Sequence, residues 1–181
     1  MMKRPILPKT RVKGVTLVEL VVAISILAIL VSLAIPTFQD YIKNNRVTAQ
    51  TNEMVSIINL ARNEAIRRNL DLLGDEDVVL RLDADGDRWT GNVVVTDGAT
   101  DPDCPVGVIR CIENERVTLS PATAEIRFDS RGYLANFNET VLCLRHADPC
   151  SGDRQHRELI IRPSGRVENN PLACDAVCPS P

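Results

Sequence analysis

A single carboxylate, Glu19, stands inside an otherwise apolar run from Val15 to Ile35. Placing a charged carboxylate at the centre of a membrane-spanning helix costs about 2.5–3.5 kcal/mol, and residues kept there usually have a function and a partner. The chemistry implied at Glu19 is pairing with a cation in an apolar setting, because a buried carboxylate without one is strongly unfavourable. A second set of reactive residues is the six cysteines, Cys104, Cys111, Cys143, Cys150, Cys174 and Cys178. Their C-x6-C, C-x6-C and C-x3-C spacings, with His146 and His156 isolated, lack the close Cys/Cys and Cys/His pairs of zinc sites. An even count in the part of the chain that follows an apolar segment points instead to disulfides in an oxidising compartment. Six cysteines allow about 15 pairings, and the sequence does not choose among them. Cys104 with Cys111 would close a local loop, and the other four would tie the C-terminal tail to the rest.

Other candidate chemistry is weaker. The stretch Asp83-Ala84-Asp85-Gly86-Asp87 has the acids of a calcium loop. An EF-hand loop needs a glutamate at its twelfth position, and Val94 stands there. A hairpin turn with exposed acids is the expectation. The two histidines fall in polar, loop-like sequence and are read as surface residues. No Ser/His/Asp order, glycine-rich phosphate loop or metal-ligand cluster is present, so neither an enzymatic activity nor a cofactor is expected.

The element that carries Glu19 is long. Val15 to Ile35 as a helix spans about 30 Å, enough to cross a bilayer. Five basic residues precede it (Lys3, Arg4, Lys9, Arg11, Lys13) and no acid, which keeps this end cytoplasmic and sends everything after Pro36 across the membrane. The run is too long for a secretory signal peptide and continues without a cleavage site into an amphipathic stretch. There Met54, Ile57, Ile58, Ala61 and Ala65 recur every three or four residues. One helix is predicted from Thr16 to Asn69, apolar all round in its first half, with Pro36 as a kink between halves. Beyond it, β-rich segments are predicted at 78–82, 89–96, 108–112, 116–119, 125–128, 140–144 and 158–162, separated by Asp85-Gly86, Asp97-Gly98, Arg131-Gly132 and Ser164-Gly165. The expected fold class is α+β, an antiparallel sheet or two small sheets packed on the second half of the helix. From residue 70 onward 20 acids face 11 arginines, a net of −9, which disfavours nucleic acid as a partner of this part as a whole.

The residues Lys13-Gly14-Val15-Thr16-Leu17-Val18-Glu19-Leu20 resemble the type IV prepilin signal. The resemblance implies cleavage between Gly14 and Val15 by a prepilin peptidase, N-methylation of Val15, and an assembly role for Glu19 through the new α-amino group. Val15 departs from the phenylalanine usual in the family. Pro36 occupies the position of a family proline. The resemblance further implies a type IV pilin-like fold with a leader at 1–14, a transmembrane and filament-core half at 15–36, an amphipathic half at 37–70 and a disulfide-containing β-rich domain at 71–181.

Asn44-Asn45-Arg46, Leu60-Ala61-Arg62-Asn63-Glu64-Ala65-Ile66-Arg67-Arg68-Asn69, Phe128-Asp129-Ser130-Arg131-Gly132 and Ser164-Gly165-Arg166-Val167 are similar to the GspH/FimT branch of that family. This implies a minor pilin of the FimT/FimU kind that primes pilus assembly at or near the tip, or alternatively a GspH-type pseudopilin of a type II secretion system. The implied partners are other major and minor pilins or pseudopilins, the prepilin peptidase, inner-membrane lipid and an inner-membrane assembly platform. The implied location is the inner membrane with a periplasmic C-terminal domain, then the pilus or pseudopilus. Some FimT proteins bind DNA through G-R-x-R. Here Gly165-Arg166-Val167-Glu168 keeps Arg166 as a candidate DNA contact but replaces the second arginine by an acid. A stripe of Arg154, Arg157, Arg162 and Arg166 is the remaining basic candidate.

Overall fold

The computed structural model describes residues 14–69, 78–95, 103–105, 107–147 and 155–178. A helix α1 (Leu17–Arg68) is followed by eight strands. These are β1 (Val78–Asp85), β2 (Arg88–Val95), β3 (Val108–Glu115), β4 (Val117–Ser120), β5 (Thr123–Arg127), β6 (Thr140–His146), β7 (His156–Ile161) and β8 (Val167–Leu172). The chain divides into two compact units, Met1–Gln39 and Asp40–Pro181.

In the first unit α1 is built from strong helix formers and from β-branched residues with apolar neighbours all round. Among the described residues none covers it: Leu17, Ile26 and Leu33 are 79%, 54% and 69% exposed. Its two serines satisfy themselves within the helix. Ser25 Oγ donates to the Val21 carbonyl at 2.7 Å and Ser32 Oγ to the Ile29 carbonyl at 2.7 Å. A hydroxyl bonded in this way brings no unsatisfied polar atom into an apolar surrounding.

In the second unit α1 is amphipathic. Val47, Gln50, Thr51, Met54, Ile57, Ile58, Ala61, Glu64 and Ala65 form its buried stripe, every three or four residues along one face. That face meets two antiparallel four-stranded sheets, ordered β3-β2-β1-β5 and β4-β6-β7-β8. Alternation sets the inward set of β1: Leu80 and Leu82 are buried while Arg81 between them and Asp83 after them are exposed. With few aromatics, the core is chiefly aliphatic, joining Met54 and Ile58 to Leu80, Leu82 and Val93 of one sheet and to Leu142, Leu144, Leu159 and Ile161 of the other. The one tryptophan, Trp89, is buried and pays its polar requirement locally. Its Nε1–H donates to Gln50 Oε1 at 3.0 Å, and Gln50 Nε2 donates to the Glu115 carbonyl at 2.9 Å.

The structure departs from the sequence expectations at several places. The strand expected from Arg116 begins one residue later. Arg116 has φ +63° and is the pivot at which the chain leaves β3 of one sheet and enters β4 of the other. β8 was not expected, because its sequence Val-Glu-Asn-Asn-Pro-Leu has no apolar alternation. It is an edge strand, where Pro171 costs no interior ladder bond. His146 and His156 are not surface residues: they close β6 and open β7, at 5% and 7% exposure. Polar neighbours in sequence concealed positions that the β6–β7 ladder turns inward. The expected turn at Asp97-Gly98 and residues Cys150 and Arg154 lie outside the described residues.

Candidate functional site

The start of α1 is set by Thr16. Its Oγ1 accepts the Glu19 N–H at 3.2 Å and its carbonyl accepts the Leu20 N–H at 3.1 Å. Thr16 is therefore the helix N-cap, and Glu19 occupies the third position of the helix, inside the first turn. Thr-x-x-Glu before an apolar run is a helix-start pattern readable in the sequence. A carboxylate here also faces the positive end of the helix dipole. Among the described residues Glu19 makes no ion pair. Gly14 lies two residues before the cap. No described residue lies within 4 Å of the place where its Cβ would be. A cut after Gly14 leaves Thr16 and its cap on the helix.

A second cluster gathers the other motif residues at the far end of α1. Arg62 Nε donates to the Gly132 carbonyl at 2.9 Å, and its NH2 group donates to the Ser164 carbonyl at 3.2 Å. One guanidinium thus holds the β5–β6 loop and the β7–β8 hairpin to the helix. Both loops touch it through glycines at positive φ, +81° at Gly132 and +76° at Gly165. A Cβ on Gly165 would lie 2.2 Å from the Gly132 carbonyl oxygen and 2.6 Å from Arg62 Nε. The loops are further joined by the Leu134 N–H donating to the Pro163 carbonyl at 2.9 Å.

Two buried acids order the surroundings. Asp129 is 2% exposed and accepts the backbone N–H groups of Arg131 and Tyr133 at 2.9 and 2.8 Å, plus the Arg131 guanidinium. Burial works to raise its pKa, but the Tyr133 N–H and the Arg131 groups outweigh it and hold the carboxyl below its ordinary range. Glu64 accepts Arg67 Nε at 2.9 Å and Arg68 Nε at 2.6 Å. The Arg67 bond, aided by Arg68 and opposed by burial, holds it low as well. Asn69, at φ +52°, stops the helix by entering the left-handed region that asparagine tolerates. Most of the stretch from Leu60 to Asn69 thereby has a structural role: Ala61 and Ala65 face the core, Arg62 ties the loops, Glu64 collects the last-turn arginines, and Asn69 ends the helix.

The remaining sequence candidates are scattered. Arg166 has a side chain 77% exposed, with Nε 3.9 Å from Glu168 Oε1. Glu168 is held by Arg162 at 2.9 Å, and Arg162 also pairs with Glu139. Arg157 lies on the opposite face of β7, where it donates to Thr48 Oγ1 of the helix at 3.2 Å. Arg157 is therefore set apart from Arg162 and Arg166, which meet at Glu168, because it turns toward the helix. Asp83 to Asp87 form the end of β1 and a two-residue turn, with Gly86 at φ +61°. Disulfides join Cys104 to Cys111 and Cys143 to Cys178. Cys174 is also disulfide-bonded.

Residues 50–165, more than half of the chain, match the family model described as type II transport protein GspH. The chain belongs to the GspH family of type IV pilin-like proteins. Residues 9–35 also match the prokaryotic N-terminal methylation motif. Members of this family are structural subunits. The N-terminal part of this GspH-family chain is 43% identical over 54 residues to a fimbrial protein of Pseudomonas aeruginosa, covering 30% of this chain and 34% of that protein. It is 41% identical over 44 residues to a type IV major alpha-pilin of Moraxella bovis, covering 24% of this chain and 28% of that one. The match thus spans about a third of the length of these curated relatives. Crystal structures of the type IV minor pilin FimU of P. aeruginosa in two crystal forms are similar at 16% identity, with TM-scores of 0.46 and 0.48. They cover 70% and 72% of this chain and 98% and 96% of theirs.

Proposed function

We propose that this chain is a minor pilin that is cut between Gly14 and Val15, N-methylated at Val15, and inserted into a type IV pilus, where it primes assembly at or near the tip. The observation that carries this reading is the start of α1. An N-capped helix places a carboxylate, Glu19, with no ion pair among the described residues, in its first turn, ahead of an apolar surface that no described residue covers. Such a surface needs lipid before assembly and sister helices after it. In that apolar setting the acid needs a cation, and the α-amino group of Val15, on the same or a neighbouring subunit, supplies it. Before assembly the same helix holds the subunit in the inner membrane with its β-rich part in the periplasm. Pro36, in the middle of α1, is the place where the helix loosens as the subunit moves from bilayer to filament. Its working partners are sister pilins, the prepilin peptidase and the inner-membrane assembly platform.

The family description favours a second reading, a pseudopilin of a type II secretion machine. The same helix start serves either fibre. Deleting the chain in its host separates them: loss of surface pili with intact protein secretion supports the pilus reading, and the reverse supports the pseudopilus. DNA capture through Arg166 is a poorer fit, since its neighbour Glu168 is already shared with Arg162.

The shared mechanism is tested with Glu19→Ala. We expect normal membrane insertion and normal cleavage, read by N-terminal sequencing that begins at N-methyl Val15, together with at least a tenfold loss from sheared fibres. Wild-type incorporation of the variant would remove Glu19 from the mechanism. A mature chain that starts anywhere but Val15 would remove the cleavage site.

A further inference from the structure

The Cys143–Cys178 bond poses a problem of selection. In the chain, Cys150 lies much nearer to Cys143 than Cys178 does, since the bonded pair is 35 residues apart. A statistical chain closes the shorter loop more readily. Something in the fold must favour the distant partner. Cys143 and Arg145 are two apart on β6 and so share one face of the strand. Arg145 Nε donates to Cys178 Sγ at 3.2 Å, and its NH2 group donates to the Ala176 carbonyl at 3.3 Å. The same guanidinium therefore grips the tail by its backbone and touches the sulfur that bonds to Cys143. Cys143 and Cys178 are 1% and 8% exposed, so in the folded protein Cys178 Sγ meets this cation in a largely dry place. Two other titratable side chains among the described residues share this face of the ladder: the buried His156 ring opposite Arg145 and Glu158 opposite Cys143.

We propose that Arg145 selects the partner of Cys143, by holding Cys178 as a thiolate beside it while the bond forms. A guanidinium next to a cysteine favours the thiolate, and the thiolate is the attacking species in disulfide exchange. The oxidant is a small-molecule or protein disulfide. The Cys143 thiolate attacks one of its sulfurs, the oxidant's S–S bond breaks, one of its thiolates leaves, and a mixed disulfide forms on Cys143. The Cys178 thiolate, held by Arg145, then attacks Cys143 Sγ. The Cys143–Cys178 bond forms and the oxidant's second thiolate leaves. Two electrons pass to the oxidant, and the two thiol protons end in solvent or on the oxidant's sulfurs. Arg145 is a positioning residue throughout.

The test uses the full chain in detergent, reduced and unfolded in urea, then refolded with oxidised glutathione, acid-quenched and mapped by mass spectrometry. In Arg145→Gln the early ratio of Cys143–Cys178 to Cys143–Cys150 should fall at least threefold, and Arg145→Lys should keep most of the wild-type ratio. A wild-type ratio in Arg145→Gln, or equal failure of both variants, overturns the role of the charge. A second measurement needs no change at Arg145. In oxidised Cys143→Ala, Cys178 is left as a free thiol, and its alkylation by iodoacetamide is followed against pH. The midpoint should lie at lower pH in the native protein than in urea; coincident midpoints overturn the proposal.

Discussion

Gly165 shows how much a single residue carries in this fold. Its missing side chain lets the β7–β8 hairpin rest directly on the Gly132 carbonyl and on Arg62. At φ +76° and with backbone 2.2 Å from any Cβ, an alanine there meets both a strained conformation and an immovable atom. We expect Gly165→Ala to cost about 2–4 kcal/mol, measured by urea unfolding. Gly86, also at positive φ but in open space, should lose only the conformational part on the same change, about 1 kcal/mol. Equal losses at the two sites would show that the contact with Arg62 is unimportant. In the sequence Gly132 and Gly165 read as turn residues. That both turns end on one arginine of the helix was not readable, because the three residues are remote in the chain and only the packing of two sheets on α1 brings them together.

At the scale of elements, α1 joins two kinds of surface in one continuous helix. The spacing of Met54, Ile57, Ile58, Ala61 and Ala65 placed its buried face correctly, since a 3.6-residue period survives any tertiary context. Met54 is fully buried between the helix and the sheets. Met54→Ala should therefore destabilise the β-rich unit by about 2–5 kcal/mol, read as a lowered urea midpoint at unchanged slope. The apolar segment before it should insert as before, since Met54 lies outside its most apolar stretch, which is exposed among the described residues. Strands with clear alternation, such as β1, were legible. β8 was not, because an edge strand gains its order from the ladder of β7 and not from its own apolar residues.

For the whole molecule, acid stability sums over three buried groups. Glu64 and Asp129 are held below their ordinary values of 4.5 and 3.8, so their contribution is complete above those values and is lost as pH falls through the folded pKa of each. His156 is also lowered from 6.5, by burial first and then by Arg145, against the hydrogen bond with the Ala173 backbone. Here the unfolded chain binds the extra proton, so stability falls as pH drops below about 6.5 and levels off beneath the folded pKa. A thermal melt series should show a first loss below about pH 6.5 that His156→Gln abolishes, and a second, acidic loss that it leaves in place. The amino-acid sequence by itself determined the long helix, its exposed apolar half, the lone carboxylate and the α+β class, because these depend on local composition and short-range period. Tertiary structure alone decided the meeting of Arg62 with two distant glycine turns, the burial of both histidines, the division into two sheets at Arg116 and the choice of Cys178 for Cys143. Each of those depends on which remote segments the core brings within a few ångströms, and no local pattern records that distance.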